Sequence, residues 1–379
     1  MPEARLVPVA EALQVHGADW SRLAAVRGNA FVSPEWMRAW LAHYGADAAA
    51  HVAVVHDDAG ELLGLMPFEL RPGRFGQSAR IAGANLADYL HPVATAEDEA
   101  AVAAAAVGAL AREQPGWSTL VLDNVDADSQ WWAQPLPGPK GKVLRCRERT
   151  SSVLPFTPLP NEGGMEEYLA GRSGNFRRRL RRLNRDLEAA GRVELRPARD
   201  DKDLSADMAT FFRLHFGRWE DRGGSSLAAG QAQAFHEAFA AEALRAGSLR
   251  LLTLEVDGEP IASFYGWRFG DRFAFYQSGF DESWARFSVG LLLQALVIAE
   301  AIGEGAREYD MMLGAEPYKF RFCDSTRRAT TAVLARPRHP AAGLVAADLA
   351  ARRLAKRLPD GLRARLSGFE RRLPTGRRR

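Results

Sequence analysis

The repeated order of strand and helix patterns is the feature that most constrains the fold of this chain. In residues 51–70 alternating apolar residues surround the turn Asp-Asp-Ala-Gly, and in residues 249–268 they surround Asp-Gly, as is typical of β-hairpins. Each hairpin is followed by a further strand, an apolar helix and a short strand that ends in Asp, at Asp123 and at Asp310. The repeat predicts two related α/β units with a mixed sheet and flanking helices.

A stretch rich in proline and glycine, residues 131–142, separates the two patterns. It predicts an N-terminal unit over residues 1–142 and a second unit over residues 143–338. Residues 339–379 are expected to form a basic tail of two short amphipathic helices, because Pro359 interrupts leucines spaced three or four residues apart. The alternative is one mixed sheet whose internal similarity is accidental.

Charge and composition exclude several classes of protein. Residues 351–379 hold eleven basic and two acidic residues, so the formal net charge of +3 leaves −6 on residues 1–350, which argues against a nucleic-acid-binding body. The longest apolar helical stretch, residues 290–302, is shorter than the roughly 20 residues that span a bilayer. Two cysteines outside any paired motif, eight scattered histidines and no signal-peptide pattern predict a cytoplasmic protein without a metal site.

Seven arginines in residues 172–185 form a strongly basic stretch. Phe176, Leu180, Leu183 and Leu187 share one face of a helix there, so the arginines cover the other faces. The stretch is either a solvated helix whose arginines pair with nearby acids, or a surface that recognises a phosphorylated group or an acidic carrier. Nucleic acid is the least favoured partner, because no aromatic residues alternate with the arginines.

Residues 273–293 hold a pattern that is typical of phosphate binding. A strand ends at Gln277, Ser278 and Gly279, and Ser288 with Gly290 opens an apolar helix. Free backbone N–H groups at the start of a helix bind phosphate.

The next strand, in residues 307–322, leads to Asp310, Glu316 and Lys319. Functional residues of open α/β sheets gather at such strand ends. A surface ion pair between Glu316 and Lys319 is the structural alternative.

Several of these segments together carry a family resemblance. In order along the chain they are RLHFGRW, LTLEVDGEPIASFYGW, YQSGFD, FSVGLLL, YDMMLG and EPYKFRF, and residues 31–45 add FVSPEWMRAWLAHYG. Residues 31–335 thereby resemble the GNAT acyltransferase superfamily, specifically its FemAB-related branch that includes the CelD-like proteins of cellulose and exopolysaccharide biosynthesis.

The resemblance implies tandem GNAT-like units, the first of them degenerate, an acyl thioester donor that is usually acyl-CoA, and an amine acceptor. It assigns the pantetheine arm to Tyr276, Gln277, Ser278 and Gly279, and the pyrophosphate to Arg286, Phe287, Ser288, Val289 and Gly290. Lys319 matches an active-site lysine in the family's aromatic-Lys-x-x-Phe segment. The chain departs from the usual Q/R-x-x-G-x-G/A loop, which leaves an acyl carrier protein or an aminoacyl-tRNA as alternative donors.

The chemistry that the resemblance implies is direct attack of the amine on the thioester. Asp310, Glu316 and then His215 are the candidate bases, and Lys319 is expected to balance negative charge. The expected function is N-acyl transfer to a small molecule, an amino sugar or a polysaccharide precursor. The alternatives are a Fem-type aminoacyl-tRNA-dependent transferase, or a non-catalytic scaffold of polysaccharide synthesis whose basic tail contacts a membrane.

Overall fold

The computed structural model of the protein describes residues 2–46, 49–73, 76–129, 131–219, 225–228 and 230–335. The predicted basic tail, residues 339–379, lies outside these described residues.

The first half of the chain places two helices between its first strand and the predicted hairpin. Its strands are β1 (Glu3–Pro8), β2 (Ala49–His56), β3 (Leu62–Gly73), β4 (Gly76–Ile81) and β5 (Trp117–Asp126). Its helices are α1 (Val9–Arg27), α2 (Pro34–Tyr44) and α3 (Glu99–Glu113). Strands β1 to β4 pair antiparallel in sequence order, whereas β5 pairs parallel with β4 after the crossover through α3.

The second half contains the remaining strands and helices. Its strands are β6 (Leu136–Gly138), β7 (Lys142–Pro158), β8 (Val193–Pro197), β9 (Leu249–Val256), β10 (Glu259–Phe269), β11 (Arg272–Phe280), β12 (Glu308–Asp310) and β13 (Ser325–Ala335). Its helices are α4 (Gly164–Ala170), α5 (Gly174–Glu188), α6 (Asp201–Trp219), α7 (Ala232–Arg245) and α8 (Val289–Gly303). Strands β8 to β11 pair antiparallel in order, and β12 pairs parallel with β11 after the crossover through α8.

The predicted repeat of hairpin, strand, helix and strand is therefore confirmed, and each unit also has an antiparallel strand at its outer edge. The two units join in one continuous sheet through β7 and β13. Strand β7, which follows the first unit, pairs with β12, and β13, which follows the second unit, pairs with β5. β7 and β13 also pair with each other at the centre of the sheet.

Alternating residues of the second unit enter two different hydrophobic cores. On β11, Phe273 and Phe275 pack with α8 and α5, whereas Ala274 and Tyr276 pack with α6, α7 and the first unit. Both faces of the strand are covered, which explains its nearly continuous apolar sequence. No helix in the described part of the chain is both long and apolar enough to cross a membrane.

The arginine-rich stretch forms α5, as predicted. The Ser173 hydroxyl accepts a hydrogen bond from the amide of Phe176 and caps the start of the helix. Phe176, Leu180, Leu183 and Leu187 are its buried residues, so the apolar face that the spacing indicates is the face that packs on the body.

In the first unit, the gap beside β4 is filled by the chain itself. β4 ends at Ile81, and the chain returns at Leu90, which pairs with Val125 of β5, and at Val93, which pairs with Leu65 of β3. The first turn of α3 also carries Glu99, whose buried carboxylate lies 3.5 Å from the Arg27 guanidinium. A carboxylate at this helix start disfavours a bound phosphate, which agrees with a degenerate first unit.

Candidate active site

The strands β11 and β12 separate after three paired residues and open a cleft. β12 pairs with β11 only from Arg272 to Ala274, although β11 continues to Phe280. Beyond Asp310 the chain turns towards β7, and the amide of Met311 donates a hydrogen bond to the carbonyl of Pro155. Among the described strands, none pairs with this edge of β11 beyond Ala274.

The far end of β11 packs tightly against α6. A Cβ on Gly279 would lie 2.3 Å from the backbone nitrogen of His215, so only glycine permits this approach. The His215 ring places Nδ1 2.9 Å from the Ser278 carbonyl and Nε2 2.7 Å from the Ser225 hydroxyl. Because a carbonyl only accepts, Nδ1 carries the proton. Burial lowers the pKa of His215, so its imidazole is neutral and holds α6 against β11.

The start of α8 lies at the mouth of this cleft. Ser288 has a left-handed backbone with φ of 51°, which ends the 3₁₀ turn of residues 282–287 and begins α8 at Val289. The amides of Val289 and Gly290 have no hydrogen-bond acceptor among the described residues. The Arg179 guanidinium donates a hydrogen bond of 3.3 Å to the Ser288 hydroxyl. Two free amides, a hydroxyl and an arginine are an arrangement that binds phosphate.

The single glycine of this loop has a packing reason. A Cβ on Gly290 would lie 3.2 Å from the Phe280 ring, so Gly290 makes room for the end of β11 against α8. The Arg286 side chain, in the preceding turn, lies over the ring of its neighbour Phe287, with 4.6 Å to the centroid. Arg179 also borders a cavity of about 590 Å³, which is lined on its other side by Phe320, Arg321, Cys323 and Asp324.

The side chains of Tyr276 and Gln277 have different environments. The Tyr276 hydroxyl donates a hydrogen bond of 3.1 Å to the carbonyl of Leu86, and its ring is buried. The pairing with β10 shifts at Tyr276, which bulges the strand there. Only backbone groups of Tyr276 are thus left for a ligand, whereas the Gln277 side chain is partly exposed.

Lys319 and Glu316 form an ion pair beside the cleft. The Lys319 ammonium is 3.0 Å from the Glu316 carboxylate and donates a hydrogen bond of 2.7 Å to the carbonyl of Leu313. The Lys319 side chain is 5% exposed and that of Glu316 is 54% exposed. The pair is therefore not a simple surface pair, because its cation is buried.

Asp88, from the first unit, lies next to this pair. Its carboxylate accepts a hydrogen bond of 3.1 Å from the amide of Leu313 and keeps partial solvent exposure. Burial raises the pKa of Asp88 to about 6, the charges of Asp310 and Glu316 add to the rise, and the Leu313 amide and Lys319 oppose it. A carboxyl group with this pKa exchanges protons near neutral pH.

The segment that carries Asp88, residues 86–89, crosses the gap between β11 and β12. Leu86 contacts Tyr276 on β11, Asp88 contacts Leu313, and the Tyr89 hydroxyl donates a hydrogen bond of 3.2 Å to Asp310 at the end of β12. Sequence reasoning missed Asp88, because no motif marks it and because the segment belongs to the other unit. The sequence offers one signal of a functional residue here, which is the polar pair Asp88-Tyr89 inside an apolar stretch that follows a strand.

Asp310 belongs to a buried ionic network. Its carboxylate accepts from Tyr89 and lies 3.9 Å from the guanidinium groups of Arg272 and Arg327, both of which also bind Glu308. Burial raises the pKa of Asp310, and Arg272 opposes the rise. These contacts tie β12 to the first unit, and Asp310 also lines a cavity of about 150 Å³ there.

Part of this geometry lies in a segment that matches a known protein family. Residues 174–320 match the family model of an acetyltransferase (GNAT) domain. The match contains the whole of α5, α6, β11 and α8, and it ends just after Lys319. No curated protein sequence matches the chain.

Solved structures share the fold over almost the whole chain. FemX is 12% identical with a TM-score of 0.61, covering 90% of this chain and 99% of FemX. The C-terminal domain of a putative lysylphosphatidylglycerol synthetase from Agrobacterium fabrum is 14% identical with a TM-score of 0.55, covering 91% and 96%. L-PGS from Bacillus licheniformis is 12% identical with a TM-score of 0.50, covering 86% and 97%. The predicted fold class, a mixed sheet of tandem GNAT-like units, is confirmed.

The GNAT match covers all four predicted catalytic residues, but it does not cover Asp88. Lys319 and Glu316 lie together, Asp310 lies close enough for its charge to act on Asp88, and His215 lies on α6 at the other wall of the cleft. The catalytic and binding assignments of all these residues, and the more specific CelD-like membership, stay predictions.

Proposed function

We propose that the protein is an N-acyltransferase that moves an acyl group from an acyl thioester to an amine of a small molecule, an amino sugar or a polysaccharide precursor. The observation that supports this function is the open edge of β11, which leads to the free amides at the start of α8. This arrangement lies inside the residues that match a GNAT acetyltransferase domain.

The donor is held by its phosphates and by its extended arm. The amides of Val289 and Gly290, the Ser288 hydroxyl and the guanidinium groups of Arg179 and Arg286 take the pyrophosphate of acyl-CoA, or the single phosphate of a carrier-bound phosphopantetheine. Backbone groups of residues 277–279 pair with the pantetheine amides in place of the missing strand. Holding the thioester beside the amine supplies several kcal/mol of the barrier by orientation alone.

The chemical step forms a C–N bond and breaks a C–S bond. The amine nitrogen attacks the thioester carbon, the ammonium proton passes to a base, and the sulfur leaves as a thiolate that takes up a proton. Asp88 suits the base, because it is ionised at neutral pH, has partial solvent access and lies in the segment that crosses the cleft. Lys319 keeps this carboxylate oriented by holding the Leu313 loop and offsets negative charge beside it.

The other candidate bases have competing contacts. Asp310 is saturated by Tyr89, by a backbone amide and by two nearby arginines, and both ring nitrogens of His215 are engaged. Glu316 is exposed and paired with Lys319. For these reasons Asp88 is preferred to all three.

Aminoacyl transfer is the second candidate function. It is supported by the fold shared with FemX and with the C-terminal domain of a protein named as a putative lysylphosphatidylglycerol synthetase. In this case the phosphate site at the start of α8 and the arginines of α5 would meet the acceptor end of a charged tRNA.

Calorimetric titration of RNase-treated protein with acetyl-CoA tests the proposal. The wild type and an Arg22→Ala control on α1 are expected to bind with equal affinity, and Arg179→Ala is expected to bind about tenfold more weakly, a loss of about 1.4 kcal/mol. Binding of charged tRNA without acetyl-CoA binding would support aminoacyl transfer instead. If neither of these ligands nor a holo-acyl carrier protein binds, the transferase proposal is wrong and the scaffold interpretation stands.

A further inference from the structure

Positive charge in the body of the protein is concentrated on α5 and its flanks. Residues 172–191 carry seven arginines and two acidic residues, whereas the rest of residues 1–350 holds 32 basic and 43 acidic residues. The body is otherwise acidic and presents this basic helix. The excess of positive charge on the helix favours an anionic partner.

Ion pairs within the protein do not neutralise this helix. Arg181 lies 2.9 Å from Glu166, but the two side chains are 54% and 77% exposed, and Arg182 is 4.0 Å from Asp186. Exposed pairs of this kind contribute about 0–1 kcal/mol. Arg185 has no carboxylate within 4.0 Å among the described residues. Most of the arginines on α5 are thus available to a partner.

An apolar groove runs beside these arginines, between α4, α5 and α8. It has a volume of about 380 Å³, and its floor is formed by Met165, Leu169, Leu180, Leu292, Ala295 and Leu296. Arg181, Asn184 and Arg185 form one rim of the groove. The combination of an apolar floor and a basic rim is complementary to an amphipathic helix with acidic residues along its sides.

The groove lies beside the proposed donor site. Its α8 residues, from Leu292 to Ala299, are three to ten residues beyond Val289. At a rise of 1.5 Å per residue they lie about 5–15 Å from the start of the helix. Arg179 connects the two places, because it directly precedes the groove residue Leu180 on α5 and donates a hydrogen bond to the Ser288 hydroxyl.

We propose that this groove docks an acidic helix of a carrier protein, which presents the acyl group as a phosphopantetheine thioester to the cleft between β11 and β12. The inference rests on the proposed acyltransferase function and names its donor class. The phosphate of the arm binds the amides of Val289 and Gly290 beside Arg179. The amine displaces the carrier's thiol, which is released as the free holo form.

Other anionic partners fit the groove less well. A nucleic-acid backbone offers no apolar face to cover the partly exposed Met165 and Leu296, and a concave groove does not lie flat on a membrane surface. The C-terminal tail of the chain carries an excess of nine positive charges in residues 351–379 and would be repelled by the arginines. An acidic amphipathic helix can place apolar residues on the floor of the groove and acidic residues beside the arginines of its rim.

Charge reversal in the full-length protein tests the proposal. The variant Arg181→Glu/Arg185→Glu is compared with Arg22→Glu/Arg245→Glu, which changes the net charge equally at exposed helix arginines elsewhere. Binding of a bacterial holo-acyl carrier protein and of acetyl-CoA is measured for each, with thermal melting as a check of folding. The groove variant is expected to bind the carrier at least 30-fold more weakly and acetyl-CoA within threefold of wild type, and the control variant to match wild type for both.

The outcomes separate the two proposals. If the wild type binds acetyl-CoA but not the carrier, or if both double variants weaken the carrier equally, the docking proposal is overturned and the transferase function stands. If it binds neither, both fail. Loss of tRNA or anionic-vesicle binding in the groove variant, with carrier binding unchanged, assigns the surface to that other partner and also overturns the docking proposal.

Discussion

Replacement of Asp88 by Asn is the most informative single change at the proposed site. The pKa of Asp88 is about 6, against an ordinary value of 3.8, chiefly because the carboxyl is buried. Each tenfold change in acidity corresponds to about 1.36 kcal/mol, so keeping Asp88 ionised in the folded protein costs about 3 kcal/mol at neutral pH. The neutral amide of Asn avoids this cost and still accepts the hydrogen bond from the Leu313 amide.

Asp88→Asn is therefore expected to lose activity without losing stability. General-base contributions are typically 10²–10⁴-fold, so thiol release from the acyl thioester in the presence of an amine should fall at least 100-fold. The wild-type rate should rise with pH and reach half its maximum near pH 6, and this limb should be absent in the variant. Asp310→Asn is the contrasting control, since loss of a charge held by Tyr89 and two arginines should destabilise the fold by about 1–3 kcal/mol.

Stability as a function of pH checks the same pKa independently of activity. Because the folded pKa of Asp88 lies above the unfolded value, its destabilising effect is complete above pH 6 and is relieved as the pH falls towards 4. From pH 7.5 to pH 5 the wild type should gain about 1 kcal/mol relative to Asp88→Asn in chemical denaturation. An Asp88→Asn protein with wild-type turnover and an unchanged pH limb would refute the assignment of Asp88 as the base.

Three further changes test the rest of the site. Lys319→Met keeps the buried volume but removes a positive charge that lowers the pKa of Asp88. The acidic limb of the pH–rate profile should therefore move to higher pH. An unmoved limb would show that the two groups are uncoupled. Arg286→Ala should raise the KM for acetyl-CoA a few-fold with little change in kcat, measured by steady-state thiol release, and a fall in kcat alone would remove Arg286 from phosphate binding. Gly279→Ala places a Cβ 2.3 Å from the His215 backbone, so it should destabilise the protein by more than 3 kcal/mol in denaturant titration, whereas Gly303→Ala, with open space, should not.

The local patterns of this chain predicted its elements well because they depend on neighbouring residues. The strand at 249–256, the helix from Val289 and the apolar face of α5 each follow from the pattern of apolar residues within one segment. The pairing of β7 and β13 was not predictable in this way. β7 pairs with β12 of the second unit and β13 pairs with β5 of the first, and both pairings are decided by residues far away in the chain.

The same distinction applies to the candidate site. Lys319, Glu316 and the segment at 286–290 lie in one stretch of about thirty residues, so their order and spacing marked them. Asp88 enters the site only because the chain between β4 and α3 fills the gap of the first unit and then crosses to the second. No pattern in the sequence near Asp88 indicates that its carboxylate accepts a hydrogen bond from the Leu313 amide or lies close to the Lys319 ammonium.

The filled gap of the first unit and the open gap of the second are two parts of one arrangement. In the first unit, residues 90–93 take the place beside β5 that a donor arm would need, and the preceding residues 86–89 project across the gap between β11 and β12. Under the proposed function, the segment that fills the gap of the first unit thereby supplies a wall and a carboxylate to the donor site of the second. Under the proposed function, residues 174–320, which match a GNAT domain, lack one residue of the active site, because Asp88 lies in the first unit.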